Sequence, residues 1–338
     1  MFTIKDLARE SGYTVATVSR ALNDSPLVAE DTRAKILKVA EEHGYIPNAL
    51  AKNLVKKSAS TVCVIVPDIV NPYFPLIVKA VQDTMQTEGY LTIVCNSDWK
   101  ESNEFSLVRL MCAQRVGGIV MDPSSDDSYL RIQKAGIEIP IVFVGNRTED
   151  SISSVLVDNY AAMFTVVEYL SGLGHRRIAL IGGQEDTYVN RLRCSGFRDS
   201  MRSNGLQVDE CLMIQCKYLS NDGYCAMERL VREGNLPTAV VAINDVIAFG
   251  VLECLKNYQI HVPEDISVVG FDDVEFSQQL GLTTIHEPRY KMGVDAAQLL
   301  LEIMNKPNSR QSVKTGKHIL YEPELILRNT CCPPKAPI

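Results

Sequence analysis

What this 338-residue chain lacks narrows the field before any motif is found. Its opening, MFTIKDLARE, has acidic residues where a secretory leader is basic, and no sustained apolar run follows. Export and membrane insertion are therefore not expected, and the cytoplasm is the expected location. No GxGxxG, GxxxxGK[ST] or GxSxG occurs, and His43, His175, His261, His286 and His318 form neither a triad pattern nor HExxH spacing. An enzyme is not expected, nor is any cofactor. None of the ten cysteines sits in paired CxxC spacing, so no metal is expected. Cys63, Cys95, Cys112 and Cys254 lie in apolar stretches and read as small core residues, and the adjacent Cys331 and Cys332 cannot readily bond each other. A broad basic surplus is missing too. The net charge is −7, with residues 1–58 carrying nine Lys and Arg against seven Asp and Glu, which leaves 25 against 34 for the rest. Any attraction to nucleic acid is thus local to the amino-terminal segment.

That segment carries the strongest pattern present. Ile4, Leu7 and Ala8, then Val15, Val18 and Leu22, then Ile36, Leu37 and Ala40 recur at three- and four-residue steps, which predicts three short amphipathic helices around one small core. Gly12-Tyr13-Thr14 is a tight turn in which Gly12 accepts positive φ and Thr14 caps the second helix, Val15 to Asn23. So brief a turn sets the steep crossing of a DNA-reading helix-turn-helix. With Val15, Val18 and Leu22 facing inward, Ala16, Thr17, Ser19, Arg20 and Asn23 remain at the exposed face or its edge. An Arg there can address guanine, Ala16 and Thr17 can offer methyl contacts, and Ser19 can take a phosphate.

The third helix, from about Glu30 to His43, is expected to close at Gly44, with Tyr45 and Pro47 stopping it. Asn48 then caps a two-turn stretch, Ala49 to Leu54, too short to be stable alone. Its Leu54 could wedge a base step while Lys52, Lys56 or Lys57 meet phosphates, although a linker with one greasy side would read the same way.

After Ser58-Ala59-Ser60, short apolar runs alternate with helical segments: TVCVIVPD, LTIVCNS, GGIVMD, IPIVFVG, RRIALIGG, CLMIQC, TAVVAIND and ISVVGFDD. Continuous rather than alternating runs indicate strands covered on both faces, and their number indicates two doubly wound parallel sheets. Ligands in such folds sit beyond the carboxyl ends of strands, here between the two halves. The segments there are polar and aromatic: Asp68, Asn71, Tyr73 and Phe74, Asn146 and Arg147, Arg191 and Arg193, Asn244 and Asp245, Asp272 and Asp273. Each alone reads equally as a strand-end cap or surface polar group. Together they suit a polyhydroxylated or anionic small molecule.

TIKDLA, TVATVSRALN and GYIPNALAKNL resemble the DNA-binding head and hinge of the lactose repressor/galactose repressor family of bacterial transcription regulators. The likeness continues through VIVPDIVNPYF, VDNYAA, RLRCSGF, AINDVIAFG, ISVVGFDD and TTIHEPRYKMG, to about residue 328. It implies an all-α helix-turn-helix head at 1–47, a hinge at 48–60, and an α/β periplasmic-binding-protein-like core of two doubly wound parallel sheets at 61–338. The core's subdomains are expected at about 61–160 plus 291–320 and 161–290 plus 321–330. The resemblance further implies that Val15, Ala16 and Arg20 contact bases, that Ala49, Leu50 and Leu54 form the hinge helix, and that Leu54 opens the central step of a palindromic operator.

For the cleft it implies that Asn71, Tyr73 and Phe74 line it, Arg193 clamps an effector, Tyr218 offers a stacking face, and Asn244 and Asp272 hydrogen-bond the ligand. Thr187 and Val189 occupy positions that vary with ligand identity. Three departures stand out. Val55 replaces a basic residue, Ala29 replaces a Ser cap and predicts a frayed start to helix three, and Glu287 replaces a Gln ahead of Pro288, hinting at a donor-rich effector.

The expected function is a homodimeric transcriptional regulator, a repressor, that binds double-stranded operator DNA under control of a small-molecule effector, a sugar or sugar derivative. A nucleobase effector stacked on Tyr73, Phe74 and Tyr218, or a protein corepressor, are the alternatives. With no leucine heptad near RNTCCPPKAPI, dimers rather than tetramers are expected.

Overall fold

The computed structural model describes residues 2–45, 60–145, 151–183, 187–305 and 316–335. The chain forms two compact units, residues 1–60 and 61–338.

The first unit holds helices α1 (Ile4–Ser11), α2 (Val15–Leu22) and α3 (Glu30–Glu42). Thr3 and Asp6 cap α1 reciprocally: the Thr3 hydroxyl accepts the Asp6 amide, and the Asp6 carboxylate accepts the Thr3 amide at 3.0 Å. Gly12 ends α1 at φ 76°, and Thr14 caps α2 by accepting the Thr17 amide at 3.2 Å, as the turn chemistry requires. Leu7, Ala8, Val18, Ala21, Val28, Ile36 and Ala40 form the core.

Two positions depart from the helical spacing. Val15 and Leu37 are exposed rather than inward, whereas Ala21 and Val28 belong to the buried core. Ala29 gives α3 no side-chain cap, and Glu30 and Asp31 stand in its first turn.

In the second unit, β1 (Thr61–Val66), β2 (Leu91–Asn96), β3 (Ile119–Met121), β4 (Ile141–Val144) and β5 (Ser153–Val157) join β11 (His318–Tyr321) in one sheet, ordered β11-β5-β4-β3-β1-β2. The other sheet is ordered β12-β10-β9-β8-β6-β7. It contains β6 (Ile178–Ile181), β7 (Met213–Ile214), β8 (Ala239–Ala242), β9 (Ser267–Asp272), β10 (Thr283–His286) and β12 (Glu324–Ile326).

Among the described residues all strand pairings are parallel except β10 with β12, an antiparallel edge. The apolar runs did not mark β5, β10, β11 or β12, which are short and contain Ser, Thr, His or Glu. β2 is an edge strand with exposed Leu91 and Val94, so it is not covered on both faces as its composition suggests. Cys95 and Cys112 are likewise only half-buried, unlike Cys63 and Cys254.

Helices cover the sheets. Around the first lie α4 (Phe74–Thr87), α5 (Glu101–Ala113) and α6 (Ser128–Lys134); around the second lie α7 (Asn159–Gly172), α8 (Tyr188–Ser203), α9 (Ser220–Arg232), α10 (Asp245–Asn257) and α11 (Glu275–Gln279). After β10 the chain returns to the first layer, where α12 (Arg289–Met304) packs on α4, β4 and β5. The close pairing of α9 with α10 needs Gly223 and Gly250, since a methyl at Gly250 would overlap the Ser220 carbonyl oxygen and lie 2.7 Å from the Tyr224 amide.

Among the described residues no helix is long and apolar enough to cross a membrane.

Candidate effector cleft and DNA-reading helix

The carboxyl ends of β1, β3, β6, β8 and β9 converge on a cleft of about 670 Å³, open mouth included. From the first sheet's side come Asn71, Tyr73, Phe74, Trp99 and Asp122. From the second come Asn159, Thr187, Val189, Asn190, Arg193, Tyr218, Asn244 and Asp272, with Glu287 where the chain crosses back. Nine of the ten residues proposed for the effector site therefore line one cavity. Asn146, the tenth, lies outside the described residues, as does Arg147.

Arg193 organises the floor. Its Nε donates to Asn159 Oδ1 at 2.6 Å, one terminal nitrogen donates to the Ile243 carbonyl at 2.6 Å, and the other pairs with Glu287 Oε1 at 3.0 Å. The guanidinium lies 3.5 Å from the centre of the Phe271 ring. The second Glu287 oxygen accepts the Tyr73 hydroxyl at 2.6 Å. Glu287 is thus occupied on both oxygens by the protein itself. Burial, followed by the adjacent Glu287 charge, pushes the Tyr73 phenol well above its ordinary range.

Asp272 is 4% exposed and sits at φ 109°, a left-handed conformation rare for a residue other than glycine. Burial raises its carboxyl well above the usual range although Arg193 acts the other way. Asp122 is raised by burial and by the charges of Glu104 and Glu287.

Asn244 lines the cleft and also caps α10, its side-chain oxygen accepting the Ile247 amide at 2.8 Å. Asn71 similarly accepts the Tyr73 amide at 3.0 Å. Both the capping and the lining readings hold for these residues.

Asp245 is structural: its carboxylate accepts the Val274 amide and the Ser277 and Thr284 hydroxyls. Asp273 pairs with Arg328 at 2.7 Å and with His286. Arg191 reaches Asp126, whose other oxygen accepts the Tyr188 amide at 2.9 Å.

At the mouth Trp99 stacks on Tyr218, with Phe74 edge-on to Trp99 at 6.2 Å. The Asn190 amide donates to the Tyr218 hydroxyl.

Trp99, Asp122, Asn159 and Asn190 had not been singled out from the sequence. Asp122 ends the GGIVMD run, and the rule that ligands lie beyond strand carboxyl ends marks it directly. Trp99, the sole tryptophan, gives no local signal of facing the cleft.

In the head, α2 buries Val18 and Ala21 and exposes Val15, Ala16 and Arg20 along the opposite side. Thr14 and Thr17 hydroxyls bond each other at 2.9 Å, and the Asn23 side chain folds back onto the Ser19 carbonyl at 2.8 Å. Thr14 and Asn23 therefore serve the helix ends, whereas Val15, Ala16 and Arg20 face solvent. Ala49, Leu50, Lys52 and Leu54 lie outside the described residues.

Residues 3–48 match the bacterial regulatory proteins of the lacI family, and residues 167–331 match a periplasmic binding protein-like domain. The chain is 32% identical over 321 residues to Catabolite control protein A of Priestia megaterium, covering 94% of this chain and 96% of that protein. It is 32% identical over 331 residues to the HTH-type transcriptional repressor CytR of Escherichia coli strain K12, covering 97% and 96%. The solved Lac repressor dimer bound to operator and the anti-inducer ONPF superposes with a TM-score of 0.86 at 27% identity, over 98% of this chain and 99% of that one. The exposed face of α2, the polar cleft and likeness along nearly the whole chain agree: this protein belongs to the lacI family of bacterial transcription regulators.

Proposed function

We propose that the protein is a cytoplasmic operator-binding repressor that acts as a homodimer, each head reading one half-site of a palindrome. Val15, Ala16 and Arg20 address bases, with Thr17 and Ser19 at the rim of the contact and Thr14 and Asn23 fixing the helix ends. The segment carrying Ala49, Leu50, Lys52 and Leu54 acts at the operator centre. The core divides at about 61–160 plus 291–320 and 161–290 plus 321–330, and an effector bound between these parts shifts operator affinity through its differential affinity for two arrangements.

The observation that carries this reading is the sidedness of α2: a helix of eight residues buries Val18 and Ala21 and leaves Val15, Ala16 and Arg20 clear of the head's own core. A sugar or sugar derivative is the favoured effector. Aromatic faces beside amide and carboxylate groups suit ring C–H faces and hydroxyls, and a structural neighbour, CelR, was solved as a cellobiose complex. Sugar acids fit less well, because three carboxylates line the cleft.

Footprinting with the full chain is expected to show a symmetric protected site whose occupancy changes with one metabolite. Absence of any symmetric protection, across a sugar and nucleobase panel, would end the proposal. Sedimentation is expected to show dimers.

A further inference from the structure

Asp272 is more than nine-tenths buried and lines the cleft. Its backbone pairs with β10 at His286, while its carboxyl makes no side-chain hydrogen bond to a described residue and feels Arg193 and Arg289 only through their charge. A buried carboxylate is expensive to leave unmatched. Among the described lining residues there are three carboxylates, Asp122, Asp272 and Glu287, and one cation, Arg193. That cation is already committed to Glu287, Asn159 and the Ile243 carbonyl. Arg289 is buried near the same floor, but it donates to the Pro72 and Asp273 carbonyls. Among the described lining residues carboxyls therefore outnumber cations three to one, and burial holds Asp122 and Asp272 well above the usual carboxyl range although Arg193 and Arg289 act the other way on Asp272.

We propose that the cleft's ligand is a polyhydroxylated molecule carrying a protonated amine, an amino sugar or amino polyol, whose ammonium group is received at Asp272 in the field of Asp122. This inference rests on the effector reading above and sharpens it. A neutral sugar could donate a hydroxyl to Asp272 but would not favour its ionised form, which burial disfavours, as an ammonium group would. An anion would worsen the imbalance. A bound metal ion is not supported, since no group of three or more His, Cys, Asp or Glu among the described residues could hold one. Trp99 and Tyr218, stacked on each other, also line this cavity, and an aromatic surface not covered by the partner ring accepts both sugar C–H faces and cations. Burial raises both carboxyls, and an ammonium group beside them would act the other way by favouring their ionised forms.

The test is calorimetry on the full chain at pH 7 with three matched sets: glucosamine, galactosamine and mannosamine, their N-acetyl forms, and the parent hexoses. For at least one ring the amine is expected to bind tenfold or more tightly than both its N-acetyl form and its parent. Asp272→Asn is expected to bring that ratio close to one, with circular dichroism reporting whether the variant is folded. The wild-type ratios stand whether or not it folds. Equal or tighter binding of an N-acetyl or neutral member, or binding of none of the three amines, overturns the inference. A neutral ligand that binds and changes operator occupancy would remove the charge assignment while leaving the effector reading intact. A chain that binds amines but protects no operator would do the reverse.

Discussion

Trp99 stacks on Tyr218 with ring centroids 4.5 Å apart and planes within 18°, joining the loop after β2 to the segment before α9 across the mouth of the cleft. Trp99 holds this place at φ 57°, next to Asp98 at φ 56°, so two left-handed residues present the ring. As the sole tryptophan, it reports on the cleft alone. Tyr218→Ala is expected to move its emission to longer wavelength and to lose about 0.5–1.5 kcal/mol of pairing. Fluorescence spectra and urea melts check both.

Arg193 and Glu287 lie 94 residues apart in sequence and 3.0 Å apart in the fold. Arg193→Ala should destabilise by about 3–5 kcal/mol, because it leaves a buried carboxylate without its cation. Adding Glu287→Gln should recover about 1 kcal/mol or more, since it removes the orphaned charge. Denaturant melts of the two single variants and the double variant measure the coupling.

Burial pushes the Asp245 carboxyl up to about 6 from 3.8, against the lowering effect of its three hydrogen bonds. The folded protein therefore keeps a proton that the unfolded chain releases above pH 4. The sign follows: this contribution is present below pH 4 and is lost as pH rises through about 6. Relative to Asp245→Asn, the wild type should lose stability on the order of 3 kcal/mol between pH 4 and pH 7. Guanidinium melts of both proteins across that range give the difference directly, and a pH-independent difference would refute it.

Gly250→Ala drives a methyl into the Ser220 carbonyl and the Tyr224 amide, both backbone groups that cannot swing aside. The α9–α10 pair must separate, at a cost of about 1–3 kcal/mol or more. A lowered melting temperature, with the far-ultraviolet spectrum preserved, is the expected result.

Arg20 is exposed on α2. Arg20→Ala is expected to cost about 1–3 kcal/mol at a single operator position and to relax base preference there. Equal weakening on every sequence would make Arg20 a phosphate contact instead.

Much of this molecule was legible from local pattern. The three head helices, their Gly12 and Thr14 turn, and eight of the twelve strands among the described residues follow from periodicity and cap chemistry, because each depends on residues within a few positions of one another. The inward assignment of Val15 and Leu37 failed for the converse reason: spacing names a helix face but not how much of that face a small core can cover. The edge strand β12 and the short strand β5 were illegible because their pairing partners, not their own composition, make them strands.

The cleft shows the same division. Its position beyond strand ends, and most of its lining, could be read from where apolar runs stop. Which of its carboxylates is neutralised could not. Glu287 is matched by Tyr73 from 214 residues away and by Arg193 from 94, while Asp272 faces the cavity without a described partner. Charge pairing depends on through-space distance in a buried setting, and that distance exists only once the two sheets have been laid against each other.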